Sequence, residues 1–371
     1  MKILPTSSEV DATMFPKMIA DTTASYKLYW LYAITEEIIH NHTEITFHRL
    51  VCRMISFAWY PVCEYHLDFG FFDQLGNIIA LISEKNIIQN NELPDKILEA
   101  VEAIEDKEIC KKIEDLYRNV PFKLLSAFIK DAYPNTKVST WKDREVIEFS
   151  QTNEHCFYSI HKEDGILKIC IREKWFWYIY NNQSIMKDWI KYHIVLYLQG
   201  KNPNVPAIPL KIEPQREDRN LSKQWKFWNL VRQSYELRDF YVGNILLETH
   251  VRKEKPSLDH FIPWKFVMHN ELWNLVPVAQ GINSSKSDTL PDLNKHLEHF
   301  CDVQYSAFDI VRASGKLKPL LEDYHTIHIA LTQDKNGNYK RVEKETFCNA
   351  LKSTIVPLHQ IALNQGYKVG R

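Results

Sequence analysis

Ser257-Leu258-Asp259-His260-Phe261-Ile262-Pro263-Trp264 is the stretch on which the reading of this chain turns, with Glu271-Leu272-Trp273-Asn274-Leu275-Val276-Pro277 and Gly281-Ile282-Asn283-Ser284-Ser285-Lys286-Ser287-Asp288-Thr289-Leu290-Pro291 behind it. Taken singly the pieces are ordinary. An Asp-His pair is common, and a histidine in an apolar run is more often packed in a core than chemically active. On a regular strand Asp259 and His260 point to opposite faces, so periodicity alone does not gather them into one site. Gly243 punctuates a β-rich run, Pro263 ends a strand, and Pro277 can open a helix. Lys286 lies three residues after Asn283 and shares its face if that segment is helical.

In this order and spacing the pieces resemble the motif of HNH (ββα-metal) endonucleases: Asp-His with Pro three residues after the His, a central Asn before an apolar pair, a last Asn nine residues on, then Lys-Ser-Asp. The resemblance covers residues 240–291. It implies a hairpin of residues 241–247 and 258–262, followed by a loop and a short helix carrying Asn283 and Lys286. It also implies roles. Asp259 and Asn283 hold the metal, His260 acts as general base on the attacking water, and Asn274 orients the loop and hydrogen-bonds that histidine. Hydrolysis of a phosphodiester needs a nucleophilic water, charge neutralisation at phosphorus and a stabilised leaving oxygen; an imidazole and a divalent ion supply these. The hard oxygens of Asp259 and Asn283 suit Mg²⁺ or Mn²⁺, and Asn in place of His at the last position weakens the prospect of zinc or nickel. A phosphate contact fits Lys286, with a solvated lysine as the plainer alternative. His250, His269, His296 and His299 match no motif position and read as packing or surface residues.

Many such modules carry two CxxC pairs for a structural zinc. Here Phe240-Tyr241-Val242-Gly243 stands where the first pair falls, and the seven cysteines are scattered, so no structural zinc and no disulfide framework are expected. Hydrophobic packing must then hold the module. The formal net charge of −1 gives no whole-molecule attraction for nucleic acid. Residues 211–286 carry twelve basic and nine acidic side chains, and Arg252, Lys253 and Lys255 cluster beside the motif as expected phosphate contacts.

The rest of the chain bounds the fold more than the function. Its 371 residues exceed what one core usually serves, and ten glycines against eighteen Tyr and eighteen Phe favour packed helices. Residues 1–140 read as a helical domain of unknown role. From Glu145, the run Val146, Ile147, Phe149, then 156–160 and 166–171, reads as a small antiparallel sheet closed by Asp164-Gly165. Helical spacing returns through Trp189 and Leu196 to Gly200, which suits a left-handed cap. Residues 201–220, with Pro203, Pro206, Pro209 and Pro214, form the expected linker. Residues 221–300 form the nuclease module, where Trp225, Trp228, Val231 and Tyr235 make an aromatic stripe of the kind that usually packs. Residues 301–371 form a C-terminal helical region with a turn at 334–338. The fold class expected is α+β: a mainly helical, multi-domain chain with a small antiparallel sheet and a ββα-metal module. The first residues lack an apolar signal segment, and the most apolar stretch, residues 54–63, is too short to span a bilayer; a cytoplasmic protein with no membrane partner is expected.

The function expected is metal-dependent hydrolysis of DNA phosphodiester bonds, leaving a 5′-phosphate and a 3′-hydroxyl as the family implies. Residues 1–220 would choose the target, restrain the nuclease or bind a protein partner. By fold-level analogy such joined modules serve restriction or phage defence. The rival readings are a catalytically silent nucleic-acid-binding or scaffold protein, and an RNA-cleaving toxin of the same fold.

Overall fold

A computed structural model describes all residues except 1–3, 21, 90–91, 118–119, 216–219, 247–255, 329–330, 332, 334–336, 338 and 371. The chain divides into two compact units, one of residues 1–203 and 208–215 and the other of residues 204–207 and 216–371. The passage between them falls in the proline-bearing stretch. Among the described residues no helix is long and apolar enough to cross a membrane.

The first unit is built on the helices Tyr26–Ile39 and Phe47–Cys63, whose Leu31, Ile34, Leu50, Ile55 and Trp59 are fully buried. Thr46 caps the second of these by accepting from Arg49 N. A buried charge ties the pair together: Glu37 is sealed from solvent and receives Arg53 at 2.9 Å and Arg49 at 2.7 Å. A three-stranded antiparallel sheet runs in the order β1 (Glu44–Thr46), β3 (Ile166–Ile171), β2 (Tyr158–Glu163). The β2–β3 hairpin closes through Asp164 and Gly165 at φ of 47° and 85°, the paired left-handed conformation that Asp-Gly accommodates. This sheet crosses the domain boundary expected at residue 140, since β1 lies before it and β2 and β3 after it.

The structure corrects two local expectations. Val146, Ile147 and Phe149 lie on the helix Asp143–Thr152, not on a strand. Glu145 accepts from Lys142 N at 2.6 Å and satisfies one orphan amide of the first turn, while Val146, Phe149 and Ser150 bury one face at helical spacing. Gly200 lies inside the helix Gln183–Lys201; its end is closed by Asn202, whose backbone and side-chain nitrogens both donate to Leu198 O.

The second unit is organised by three helices, Ser222–Val231, Leu293–Ser314 and Lys344–Asn364. Phe227, Trp228, Phe261, Phe300, Phe308 and Phe347 meet in their common core, so the buried part of the aromatic stripe is packing, while Tyr235 remains exposed. The helix Leu293–Ser314 crosses the boundary expected at residue 300 and ends on Gly315 in the left-handed conformation. Of the turn expected at 334–338 only Gly337 is described, at φ 73°, between the bridged residues Gln333 and Tyr339.

Against this core lies a two-stranded antiparallel hairpin, β4 (Pro256–His260) and β5 (Leu275–Ala279), followed at once by the helix Gln280–Lys286. The order strand, strand, helix is the one expected, but the strands are not. The partner of β4 is the wholly buried β5, and residues 240–246 instead make a turn with Gly243 at φ 75°. Pro277 does not open a helix; it sits in β5 opposite Leu258. Its carbonyl accepts from Phe240 N at 3.1 Å, on the side away from β4, so its missing N–H removes no rung of the ladder.

Candidate functional site

Asp239 joins the pieces. It is buried, and its carboxylate accepts from Tyr241 N, Val242 N and, at 2.6 Å, Ala279 N. One side chain thus fixes the turn after Phe240 to the junction of β5 and the following helix. That places the Tyr241 hydroxyl at the end of β4, where it donates to Asp259 Oδ2 at 2.9 Å.

Asp259 and His260 are the last two residues of β4, both nearly buried. Beyond His260 the pairing runs on for one more bond, Phe261 N donating to Asn274 O at 2.8 Å, and the Asn274 side chain then clasps Ile262, accepting from its N at 2.8 Å and donating to its O at 2.9 Å. Asp259 and His260 both line one open cleft of about 710 Å³, with Ser257, Asn283, Ser287 and Asp288. Strand alternation argues against a shared site, yet both residues line this cleft at the end of the strand.

The side-chain hydrogen bonds described for Asn274 run to the backbone of Ile262, in the loop that follows His260. His260 meets Asn270, whose Oδ1 lies 3.0 Å from Nε2. Asn270 is itself held: its carbonyl accepts from Gln224 Nε2 at 2.8 Å. The spacing of the motif points to Asn274, and nothing in it marks Asn270. The left-handed Met268 that closes the short helix Trp264–Val267 just before it gives no sequence signal, since methionine has no preference for that conformation.

Asn283 lies on the helix Gln280–Lys286 and donates through Nδ2 to Ser257 Oγ at 2.8 Å, with a longer contact to Leu258 O. With the amide nitrogen on β4, the oxygen is the atom left to meet a cation. Lys286 ends the same helix. Its ammonium is 3.2 Å from Asp259 Oδ2, 3.3 Å from Oδ1 and 2.8 Å from His260 O. In the described structure, then, Lys286 is no solvated lysine, and its charge faces a carboxylate. Burial raises the Asp259 pKa above the usual carboxylate range, against the opposing pull of Lys286 and the Tyr241 hydroxyl. The Tyr241 phenol is driven well above its ordinary value by burial and by the Asp259 charge.

The loop is braced from behind. Gln304 donates to Leu275 O at 2.7 Å and receives the Tyr324 hydroxyl at 2.8 Å, and Asp323 accepts from Leu272 N. His299 stacks on Phe240 at 5.0 Å and His296 meets Tyr241 edge-on, while His269 sits against Trp273, so these three histidines pack as expected. His250, Arg252, Lys253 and Lys255 lie outside the described residues.

No group of three or more His, Cys, Asp or Glu side chains is gathered for a metal among the described residues. The donor set between β4 and the helix Gln280–Lys286 is smaller and harder: the Asp259 carboxylate, the Asn283 amide oxygen and the Ser257 hydroxyl, with the Asp288 carboxylate, paired to Lys265, elsewhere in the lining. Such a set suits a divalent ion that keeps waters and takes further oxygens from a phosphate, and the ammonium on Asp259 marks the carboxylate as a place where positive charge is stabilised.

Residues 239–292 match the family described as HNH endonuclease. The match covers a segment of the chain, within the second unit, and the family is one of nuclease-type hydrolases. No curated protein and no solved structure matches the chain.

Proposed function

We propose that the cleft at the end of β4 is the active site of a divalent-metal-dependent endonuclease acting on DNA. The observation that carries this reading is the convergence of Asp259, His260 and Asn283 on one cleft, with His260 Nε2 held by Asn270. In the tautomer where Nε2 donates to Asn270, Nδ1 carries the lone pair, and His260 takes a proton from water through that atom. Asp259 and Asn283 hold Mg²⁺ or Mn²⁺ by oxygen. When bound, the ion neutralises charge at phosphorus and stabilises the leaving oxygen. Asn270 and Asn274 work at one remove, the first fixing the imidazole and the second the turn that carries it.

Lys286 and the segment with Arg252, Lys253 and Lys255 supply phosphate contacts in this reading. Neutralising the three residues of the segment should flatten the dependence of log affinity on log salt by about 0.9 for each phosphate of duplex DNA that is no longer neutralised. An unchanged slope would move the path of the DNA elsewhere, toward Lys223, Lys226 and Arg232. The first unit selects the target, restrains the nuclease or binds a protein partner, and a role in restriction or phage defence rests on analogy of layout.

Incubation of the purified chain with plasmid and with total RNA, in Mg²⁺, Mn²⁺ or EDTA, tests the reading. Metal-dependent nicking of plasmid alone is expected. Cleavage of RNA alone would make the protein a toxin-like ribonuclease, and binding without cleavage would make it a scaffold. Among ligand variants, Asp259→Ala and Asn283→Ala should lose activity that excess Mn²⁺ partly restores, whereas His260→Ala should not be restored.

A further inference from the structure

Asp259 already holds a cation. The Lys286 ammonium reaches both of its carboxylate oxygens, at 3.2 and 3.3 Å, and both side chains are nearly sealed, at 9% and 5% exposure. A lysine ammonium has three N–H donors. Here they are turned to the Asp259 carboxylate and the His260 carbonyl, which hold the ammonium on the proposed metal ligand. Oδ2 also receives the Tyr241 hydroxyl. The pair is electrically neutral, and the other carboxylate that lines the cleft, Asp288, is engaged by Lys265 at 2.8 Å.

A divalent ion arriving at Asp259 therefore meets an ammonium on the same two oxygens, in a buried setting where like charges repel strongly. With the ammonium gone, one carboxylate faces two positive charges, and the missing negative charge is one that a phosphodiester brings. The displaced ammonium needs an acceptor as well. The phosphate meets both needs at once.

Resting on the reading of Asp259 as a metal ligand, we infer that Lys286 and the metal exclude one another at Asp259, and that Lys286 passes from this carboxylate to the substrate phosphate as the ion binds. The free protein then holds the ion weakly, and ion and nucleic acid each strengthen the binding of the other. By linkage the effect is reciprocal. The inference reconciles the two places open to Lys286: on Asp259 in the free chain and on phosphate in the complex.

Mn²⁺ binding, followed by the electron paramagnetic resonance signal of the free ion, tests this on the full chain carrying His260→Ala, so that a short DNA duplex stays intact. Without DNA, adding Lys286→Met or Lys286→Gln should tighten Mn²⁺ binding about tenfold or more, the scale of ordinary coupling between sites. The duplex should tighten Mn²⁺ binding to the parent and do so much less in either Lys286 variant. Equal or weaker Mn²⁺ binding in both variants would overturn the exclusion, and a duplex without effect on the parent would overturn the transfer. Because the variants leave a buried carboxylate unpaired, thermal unfolding is followed with and without Mn²⁺. The ion should raise the melting temperature of the variants more than that of the parent, and a variant that stays unfolded in Mn²⁺ counts against the inference. Asp259→Ala separates the two levels. If it keeps the parent's Mn²⁺ affinity, the metal-ligand reading fails and the exchange with it; if it loses that affinity while the Lys286 variants gain none, the exchange alone fails.

Discussion

The hydrogen bond between His260 and Asn270 bears on which nitrogen of the imidazole can act. The contact of Nε2 with Asn270 Oδ1 at 3.0 Å favours the tautomer with its proton on Nε2, which leaves Nδ1 as the basic atom. His260→Ala should lower the cleavage rate about 10²–10⁴-fold, the usual worth of a general base, with Mn²⁺ and DNA binding retained. Asn270→Ala keeps the imidazole but frees its orientation, and turnover should fall about 10–100-fold with little change in the Michaelis constant. Asn270→Asp separates positioning from mere structure. A carboxylate in that place favours the imidazolium, so the histidine must lose its proton at a higher pH before it can serve as base, and the acidic limb of the pH–rate profile should move upward. A profile that stays in place while overall activity drops would reduce Asn270 to a packing residue.

At the scale of elements, the hairpin is held where β4 gives way to its loop. Asn274 is fully buried and makes both of its side-chain bonds to the backbone of Ile262. Asn274→Ala leaves a buried N–H and a buried C=O unpaired, and each should cost about 1–3 kcal/mol of stability in urea unfolding. Asn274→Asp sets a carboxylate oxygen against the Ile262 carbonyl in a buried place, so at neutral pH it should cost at least as much as Ala; equal stability of all three proteins would show the clasp to be unimportant. The same hairpin measures what the sequence reveals. Asp259, His260, Asn283 and Lys286 are legible because their chemistry and spacing are short-range, and the turn at Asp164-Gly165 is legible because only a few residues tolerate its conformation. The partner of β4 is not legible, since residues 241–247 and 275–279 are both apolar and β-rich, and Pro277 argues against the true strand. What settles the choice is burial against Phe261 and Phe300 and the carboxylate of Asp239, a long-range bond that no local pattern encodes. Val146, Ile147 and Phe149 mislead for the converse reason: strand-forming residues are overruled by a capped helix with one buried face.

At the scale of the whole molecule the two units carry different sensitivities. Lys211, in the first, is fully buried, and burial pulls its pKa from 10.5 down to about 7. Between those values the unfolded chain binds a proton that the folded unit does not, so stability should rise with pH from 7 upward, and the burial cost should be fully present below pH 7. Urea midpoints of the full chain at pH 7 and pH 9.5 should show this rise for the first unit, and Lys211→Met should reduce it; the same slope in both proteins would mean that Lys211 is not the source. The second unit depends on apolar packing. Its core gathers Phe227, Trp228, Phe261, Phe300, Tyr324 and Phe347 from segments on both sides of β4 and β5, and Cys301 and Cys348 lie within that core as free thiols. A structural zinc would need about four soft or imidazole ligands set tetrahedrally, and a module lacking them must fold on its apolar surface alone. Residues 216–371 expressed alone should therefore melt in one cooperative transition. A strong chelator should leave the melting temperature of this fragment unchanged, because the metal proposed at Asp259 serves chemistry and not folding. Stoichiometric zinc that survives dialysis, or collapse of the transition in the chelator, would contradict a module held by hydrophobic packing.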